Sequence, residues 1–420
     1  MTDMPYVALI GLDWADQKHD VCLYDCAAQT QEHCVIGARP EAIEAWAMQL
    51  RVRYGGQPIA VCLEQKRGPL IYALCKYEFL VLYPVNPQTV SKYRQVFTPS
   101  RAKDDPTDAA LQVELLRKHR DKLTVWQPAS PMLRKLQALV EWRRTLIEDI
   151  GRTTNRLVDV LKGYFPQAID CFEHRDTMVF CDFLTQWSTL SAVQQVSDEQ
   201  LQQFFCEHHS RYKDCNARRI ECLRNGIPLT QDSAIVESSQ LMVQALVSQL
   251  RSLLTSVRQF EAQIDREFNQ LPDAAIFAAL PHAGTNLAPR LLLAFGEDRT
   301  RYQTAQDLLQ YAGIAPVTER SGKKVLDTFG RWGAPRFLRQ TFHWSGRMNR
   351  RKASLWAKAF YQAQKQAGKT HQAAIRALAF KWIRILFRCW QDRVPYDEAK
   401  YLLALHQKGS PLAQQILSQA

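Results

Sequence analysis

Two runs of heptad spacing limit what this chain can fold into more than any other feature. Leu136, Val140, Arg143, Ile147, Ile150, Thr154, Leu157 and Leu161 follow alternating spacings of four and three, and six of these eight are apolar. Leu246, Leu250, Leu253, Val257, Phe260 and Ile264 repeat the pattern without a polar break. Such spacing marks the seam of a long helix. The two helices either pack on each other or form a coiled-coil arm for self-association, and the seams admit both. Between them, roughly residues 164–232 are polar and aromatic with no sustained period, which reads as a small helical insertion. At 420 residues the chain has room for two or three domains. The period changes place them at 1–125, 126–271 and 272–420.

The first of these reads as α/β. Val7 to Asp13 is a buried strand and Asp20 to Asp25 a second, joined by a short polar turn. Ile59 to Leu63 and Phe79 to Tyr83 are further strands, separated by helical stretches at 41–51 and 70–77. Two of the strands end in a carboxylate, Asp13 after Val7 to Leu12 and Glu64 after Ile59 to Leu63. Both are expected at one edge of a common sheet.

From Pro272 onward the chain reads as helical, basic and rich in Trp and Phe. From Arg301 to the end there are 21 basic and 6 acidic residues, a net +15, which leaves −3 for the first 300. A basic domain on a near-neutral remainder suits a polyanionic partner, because cations that neutralise phosphates release condensed counterions. The 11 cysteines are scattered without a C-x-x-C pair, which argues for reduced thiols rather than a disulfide framework. No signal peptide is expected at Met1 to Pro5. The apolar stretch Ala377 to Trp390 is interrupted by Lys381, Arg384 and Arg388, so no membrane span is expected and a cytoplasmic location is.

Four constellations bear on chemistry. In Lys103-Asp104-Asp105-Pro106-Thr107-Asp108-Ala109, Pro106 suits the first helical position, so Asp105 becomes the N-cap and Asp108 lies one turn along. Helix capping alone explains such a pair. Together with Asp13 and Glu64, four clustered carboxylates repel one another unless a divalent cation neutralises them, and oxygen ligands of this kind suit Mg²⁺. Next, Ser321 precedes Gly322 in a loop flanked by Arg320, Lys323 and Lys324. It is either an exposed turn or a nucleophile beside cations that stabilise developing charge on a phosphodiester. The glycine turn at Gly284 opens a helix whose backbone N–H groups suit phosphate, and it equally suits a plain helix connection. The last constellation is the helix His371 to Trp390, an apolar stripe of Ile375, Leu378, Trp382, Leu386 and Cys389 flanked by Arg376, Lys381, Arg384 and Arg388 as a basic rim.

Asp13, Leu63-Glu64-Gln65, the 103–109 stretch and the Gly-x-x-Pro-x-x-x-x-Ser-Gly pattern of 313–322 resemble the DEDD-type insertion-sequence transposases that are guided by a bridge RNA. The likeness covers nearly the whole chain, running on through Gly296 to Tyr302 and Arg376 to Trp382. The resemblance implies a resolvase-like (RNase H fold) N-terminal domain, a coiled-coil linker with an insertion, and a mostly α-helical C-terminal transposase domain. By position it matches Asp13, Glu64, Asp105 and Asp108 to the DEDD tetrad that holds Mg²⁺, and Ser321 to the nucleophilic serine. Gly284, Arg320, Lys323, Lys324, Arg331 and Arg336 become nucleic-acid contacts. Implied partners are donor and target DNA, a structured guide RNA and further copies of the chain in a dimer or tetramer, acting at a bacterial nucleoid. Two other classes use the same residues: a metal-dependent Holliday-junction-type nuclease without a covalent serine step, and a nucleic-acid-binding protein without catalysis.

Overall fold

The computed structural model describes residues 6–65, 68–97, 105–208, 212–322, 324–329, 334–348 and 354–417; of residues 96, 97, 105, 318–321, 324–329, 344–348, 414, 415 and 417 it describes the backbone alone. The chain divides into two compact units, Met1–Pro128 and Ala129–Ala420.

The first unit is built on β1 (Ala8–Asp13), β2 (Lys18–Asp25), β3 (Thr30–Gly37), β4 (Ile59–Leu63) and β5 (Leu80–Pro84), with helices α1 (Pro40–Arg53), α2 (Pro69–Leu74), α3 (Pro87–Phe97) and α4 (Asp105–His119). The sheet order is β3-β2-β1-β4-β5. The first three strands form an antiparallel meander, and β4 and β5 join β1 in parallel. Central parallel strands are covered on both faces, which is why β1 and β4 appear as unbroken apolar runs. Ala8, Ile10 and Leu12 with Ile59, Val61 and Leu63 pack in one cluster with residues of α1 and α2. Leu9 with Ala60 and Cys62 packs in another with Ala109, Val113 and Leu116 of α4. No apolar alternation announces β3, whose single buried residue is Ile36. Its ladder with β2 and the Arg53–Glu32 ion pair at 2.7 Å hold it as an edge strand.

Gly11 sets how closely α4 approaches this sheet. A Cβ at that position would lie 1.9 Å from the backbone oxygen of Ala109, a distance only displacement of the helix can relieve. Gly11→Ala is expected to cost about 1–3 kcal/mol as an overpacking change, or more if α4 unseats. A urea midpoint unchanged from wild type would show that the helix adjusts freely.

In the second unit, α5 (Pro131–Lys162) and α11 (Ser233–Asn269) are the two long helices. They run antiparallel, with Lys135 bonded to Glu267 at 2.6 Å and Arg143 to Glu261 at 2.5 Å. Leu133, Leu136 and Val140 meet Ile264 and Phe268 near one end, and Ile150, Leu157 and Leu161 meet Val243, Leu246, Leu250 and Val257 near the other. Of the two uses the seams allow, packing within the chain is the one observed. Short helices α6 (Pro166–Cys171), α7 (Met178–Gln186), α8 (Leu190–Gln194), α9 (Asp198–Glu207) and α10 (Lys213–Arg224) fill the insertion. Aromatic rings supply its core, with Phe172 and Phe183 centroids 5.1 Å apart and Trp187 and Phe204 also at 5.1 Å.

The remainder comprises α12 (Ala274–Ala278), α13 (Gly284–Phe295), α14 (Ala305–Tyr311), the hairpin β6 (Val317–Ser321) and β7 (Lys324–Phe329), then α15 (Arg336–Met348), α16 (Leu355–Gln366), α17 (His371–Asp392), α18 (Glu398–Gln407) and α19 (Pro411–Leu417). Leu378, Trp382, Ile383, Leu386 and Trp390 of α17 are buried among Trp356, Phe277, Phe295 and Phe342. Two indoles find partners there, Trp356 donating to the Tyr396 hydroxyl at 2.8 Å and Trp390 to the Gly296 carbonyl at 3.0 Å. Two expectations change. Val317–Ser321 and Lys324–Phe329 pair as an antiparallel hairpin rather than a loop in a helical region, and short strands of mixed polarity leave no periodic signal. Lys381 does not belong to the solvated rim: its ammonium lies 4.7 Å from the Phe360 ring centroid and 5.3 Å from that of Trp356. Burial there lowers its pKa. Arg376, Arg384 and Arg388 do remain exposed.

No helix among the described residues is long and apolar enough to cross a membrane.

Candidate active site

Strand parity places the carboxylates. Side chains alternate between faces, so Asp13 shares a face with Leu9, Glu64 with Ala60 and Cys62, and Asp20 with Cys22 and Tyr24. That is the face α4 covers. Leu12 is the register partner of Leu63 across the parallel pair, so Asp13 and Glu64 follow each other's neighbours at the same sheet edge. Asp20 is the cross-strand partner of Asp13 on β2 and is only 7% exposed.

Helix α4 runs against β1 in the opposite direction. Its Ala109 abuts Gly11, and Gln112 accepts a hydrogen bond from the Leu12 amide at 2.8 Å. Further along, the Arg117 guanidinium lies 4.1 Å over the Tyr24 ring and that of Arg120, just past the helix, 5.0 Å over Tyr6. The start of α4 is therefore brought to the edge where β1 and β4 end. Asp105 is the first residue of α4, and Asp108 follows one turn later. Asp104 lies outside the described residues.

Asp108 is 1% exposed. Its Oδ2 accepts a hydrogen bond from Arg94 of α3 at 2.5 Å, while its Oδ1 is buried with no hydrogen-bond partner among the described residues. The Gln112 amide nitrogen and Arg94 Nε nearby are unsatisfied as well. A buried carboxylate oxygen left open is costly unless something neutralises it, and Arg94 already supplies one positive charge to this carboxylate. Carboxylates such as Asp13, Glu64 and Asp108 are the ligand type that a hard divalent cation takes. Among the described residues no three acidic, His or Cys side chains stand close enough to form a finished metal cage, and the Asp105 side chain is not among them.

Two residues here escaped the sequence reading. Asp20 was legible only as the start of a strand, and extending the β1–β2 register by pairs to Asp13 is the signal that finds it. Arg94 sits in an amphipathic helix and had no signal; only the packing of α3 on α4 reveals it. His19, beside Asp20 on the opposite face, is 1% exposed and accepts from the Ala15 amide at 3.4 Å. Burial lowers its pKa.

The remaining predicted residues lie in the second unit. Ser321 ends β6 and pairs with Lys324 across the hairpin, with Gly322 at φ +59° in the turn and a bulge between Glu319 and Arg320. Lys323 and Arg331 lie outside the described residues. Arg336 is exposed at the start of α15. Gly284 has φ +52° at the start of α13, and no side chain caps that helix. A Cβ at Gly284 would meet nothing within 4 Å, so the backbone angle, rather than crowding, is what calls for glycine.

Comparison with known proteins covers both regions. A family model described as "Transposase", of the DEDD type named for IS110, matches residues 10–166. A second, described as "Transposase IS116/IS110/IS902 family", matches residues 274–362. Asp13, Glu64, Asp105 and Asp108 fall within the first span and Ser321 within the second. The mini-circle putative transposase for IS117 of Streptomyces coelicolor is 24% identical over 408 residues, covering 95% of this chain and 98% of its own length. The insertion element IS110 uncharacterized 43.6 kDa protein of the same organism is 26% identical over 305 residues, 71% of this chain and 73% of its own. The putative transposase y4uE of Sinorhizobium fredii is 30% identical over 177 residues, 40% of this chain and 48% of its own.

Proposed function

Because the chain belongs to the IS110/IS116 family of transposases, we propose that it exchanges DNA strands at sites chosen by a structured RNA, with Asp13, Glu64, Asp105 and Asp108 holding Mg²⁺ and Ser321 as the nucleophile. In this reading residues 1–125 are an RNase H-like domain, 126–271 a linker with its insertion, and 272–420 the serine domain. What supports the reading is that Asp13 and Glu64 stand at the ends of the paired strands β1 and β4 and that Asp108 lies one turn into α4, the helix packed on the same face of the sheet, with its Oδ1 buried.

A bound Mg²⁺ supplies charge that polarises the scissile phosphate. Ser321 Oγ attacks the phosphorus, an Oγ–P bond forms, and the P–O bond to a deoxyribose breaks. The serine proton ends on the departing deoxyribose oxygen. A hydroxyl of the exchanged strand then attacks the same phosphorus and releases Ser321, so bond energy is conserved for rejoining. Arg320 and Lys324, on either side of Ser321, stabilise charge on the phosphoryl oxygens. Base pairing by the RNA selects sequence while the protein holds backbones, which suits the +15 of the last 120 residues. Two duplexes must be held together, so a dimer or tetramer is part of the proposal.

The test uses the full chain purified with whatever RNA accompanies it, donor and target duplexes, and sequencing of recombinant junctions. Junctions are expected with the RNA present and none after ribonuclease treatment. Equal junction yield without RNA would overturn the guided reading.

A further inference from the structure

The second unit contains a cavity of 680 Å³ between α5, α13, α15 and α17 that the chemistry above does not use. Its lining includes three guanidinium groups, those of Arg143 and Arg144 on α5 and of Arg290 on α13. Arg290 of α13 is only 7% exposed; its Nε donates to the Thr341 hydroxyl at 3.2 Å, and its guanidinium lies 4.6 Å from the Phe337 ring centroid. Burial, with Arg143 and Arg144 nearby, pushes its pKa down to about 10. Burial together with Arg376 and Arg339 lowers the pKa of His343, on the facing α15. Carboxylates offset part of this charge: Arg144 pairs with Glu141 at 3.0 Å and Glu148 at 2.7 Å, and Arg143 with Glu261 at 2.5 Å. Three guanidinium groups on the lining, with Arg339 and Arg376 acting on its His343, then stand against three carboxylates. The excess is positive.

The mouth of α17 adds to it. His371 and Gln372, both on the cavity lining, are the first two residues of this 22-residue helix, whose positive end therefore opens on the cavity. His371 is held in orientation by a 2.7 Å hydrogen bond between its Nδ1 and the Tyr361 hydroxyl. Among the described lining residues there is no Phe, Tyr or Trp; the rings are the imidazoles of His343 and His371, held at one nitrogen or buried, and the apolar side chains are Ile147 and Ile375. The chemistry therefore favours a bare phosphate over a nucleobase.

We propose that this cavity, lined by none of the residues assigned to strand exchange, is a phosphate site that seats one phosphodiester of a bound DNA duplex. The inference rests on the reading of the chain as a DNA-handling transposase, but not on the serine or metal steps.

Gln372 is exposed at the second position of α17, which makes charge changes there benign for folding. A glutamate at that position even complements the helix dipole. The experiment measures duplex affinity of the full chain by fluorescence anisotropy, across a series of KCl concentrations and on two unrelated sequences, for wild type, Gln372→Glu and Gln372→Lys. Gln372→Glu is expected to weaken binding about tenfold, equally on both sequences, and to reduce the slope of log affinity against log salt by about 0.9, one phosphate contact. Gln372→Lys is expected to tighten binding. Identical affinities and slopes for the three proteins would overturn the proposal. A second arm titrates inorganic phosphate alone, expected to bind only in the millimolar range. Micromolar phosphate binding that Gln372→Glu abolishes without changing duplex affinity would make the cavity a free-anion site and would also overturn it. Loss of the serine adduct would leave these slopes untouched, so failure of the strand-exchange reading is separately visible.

Discussion

Ser321→Ala is expected to abolish covalent protein–DNA adducts, and with them recombinant junctions, by about 10⁴-fold or more, the scale of removing a nucleophile. The substituted position ends β6 beside the turn at Gly322, where losing one hydroxyl changes neither a strand pairing nor a basic side chain. Affinity for DNA and RNA is dominated by phosphate contacts and is expected to stay within about twofold. Adducts are scored on denaturing gels with a nicked substrate that prevents religation, and Ser345→Ala serves as the control. Persistence of adducts in Ser321→Ala, or their loss in Ser345→Ala alone, would reassign the nucleophile. Cleaved DNA with no adduct in the wild type would favour a metal-dependent nuclease, in which water replaces the serine.

The carboxylates should give the second large effect. Asp13→Asn and Glu64→Gln keep side-chain shape and remove the charge that holds the cation, so Mg²⁺-dependent cleavage is expected to fall at least about 10³-fold. Asp105→Asn should behave alike and Asp104→Asn far more mildly. Asp108→Asn differs in kind, because Arg94 donates to its buried carboxylate. Breaking a buried ion pair on one side costs about 3–5 kcal/mol, less where a partner reaches solvent, as Arg94 does in part. This variant should therefore lose stability along with activity. Paramagnetic Mn²⁺ binding together with urea melts separates the two. Unchanged Mn²⁺ affinity in both Asp13→Asn and Glu64→Gln would remove the metal from this sheet edge.

How much was legible differs from element to element. The buried runs of β1 and β4 and the seams of α5 and α11 announce themselves because each repeats one physical requirement, burial on both faces or along one stripe, over many residues. Thr30–Gly37 carries no such repetition. It is a strand only because β2 offers it a ladder, and all its side chains but Ile36 are exposed. The 317–329 hairpin is similar, with pairing that depends on a turn at Gly322 rather than on apolar alternation. For Lys381 the sequence offered two faces of α17 and the basic one appeared natural, but the rings of Phe360 and Trp356 arrive from another helix.

The sequence by itself determined that strands would deliver Asp13 and Glu64 at their ends, that Asp105 and Asp108 would open a helix, and that two long helices would divide the chain. These follow from local rules, the period of burial and the chemistry of helix starts, which act over a few residues and need no partner. The tertiary structure decided which ends meet. Gly11 admits α4 against β1, the reversed direction of that helix carries Asp108 to the carboxylate edge, and α3 brings Arg94 to it. It also decided that the two heptad seams face each other within the chain, since a seam specifies an apolar stripe but not the helix that covers it. Contacts of that kind join residues up to 132 positions apart, as Lys135 and Glu267 are, and no periodicity along the chain encodes them.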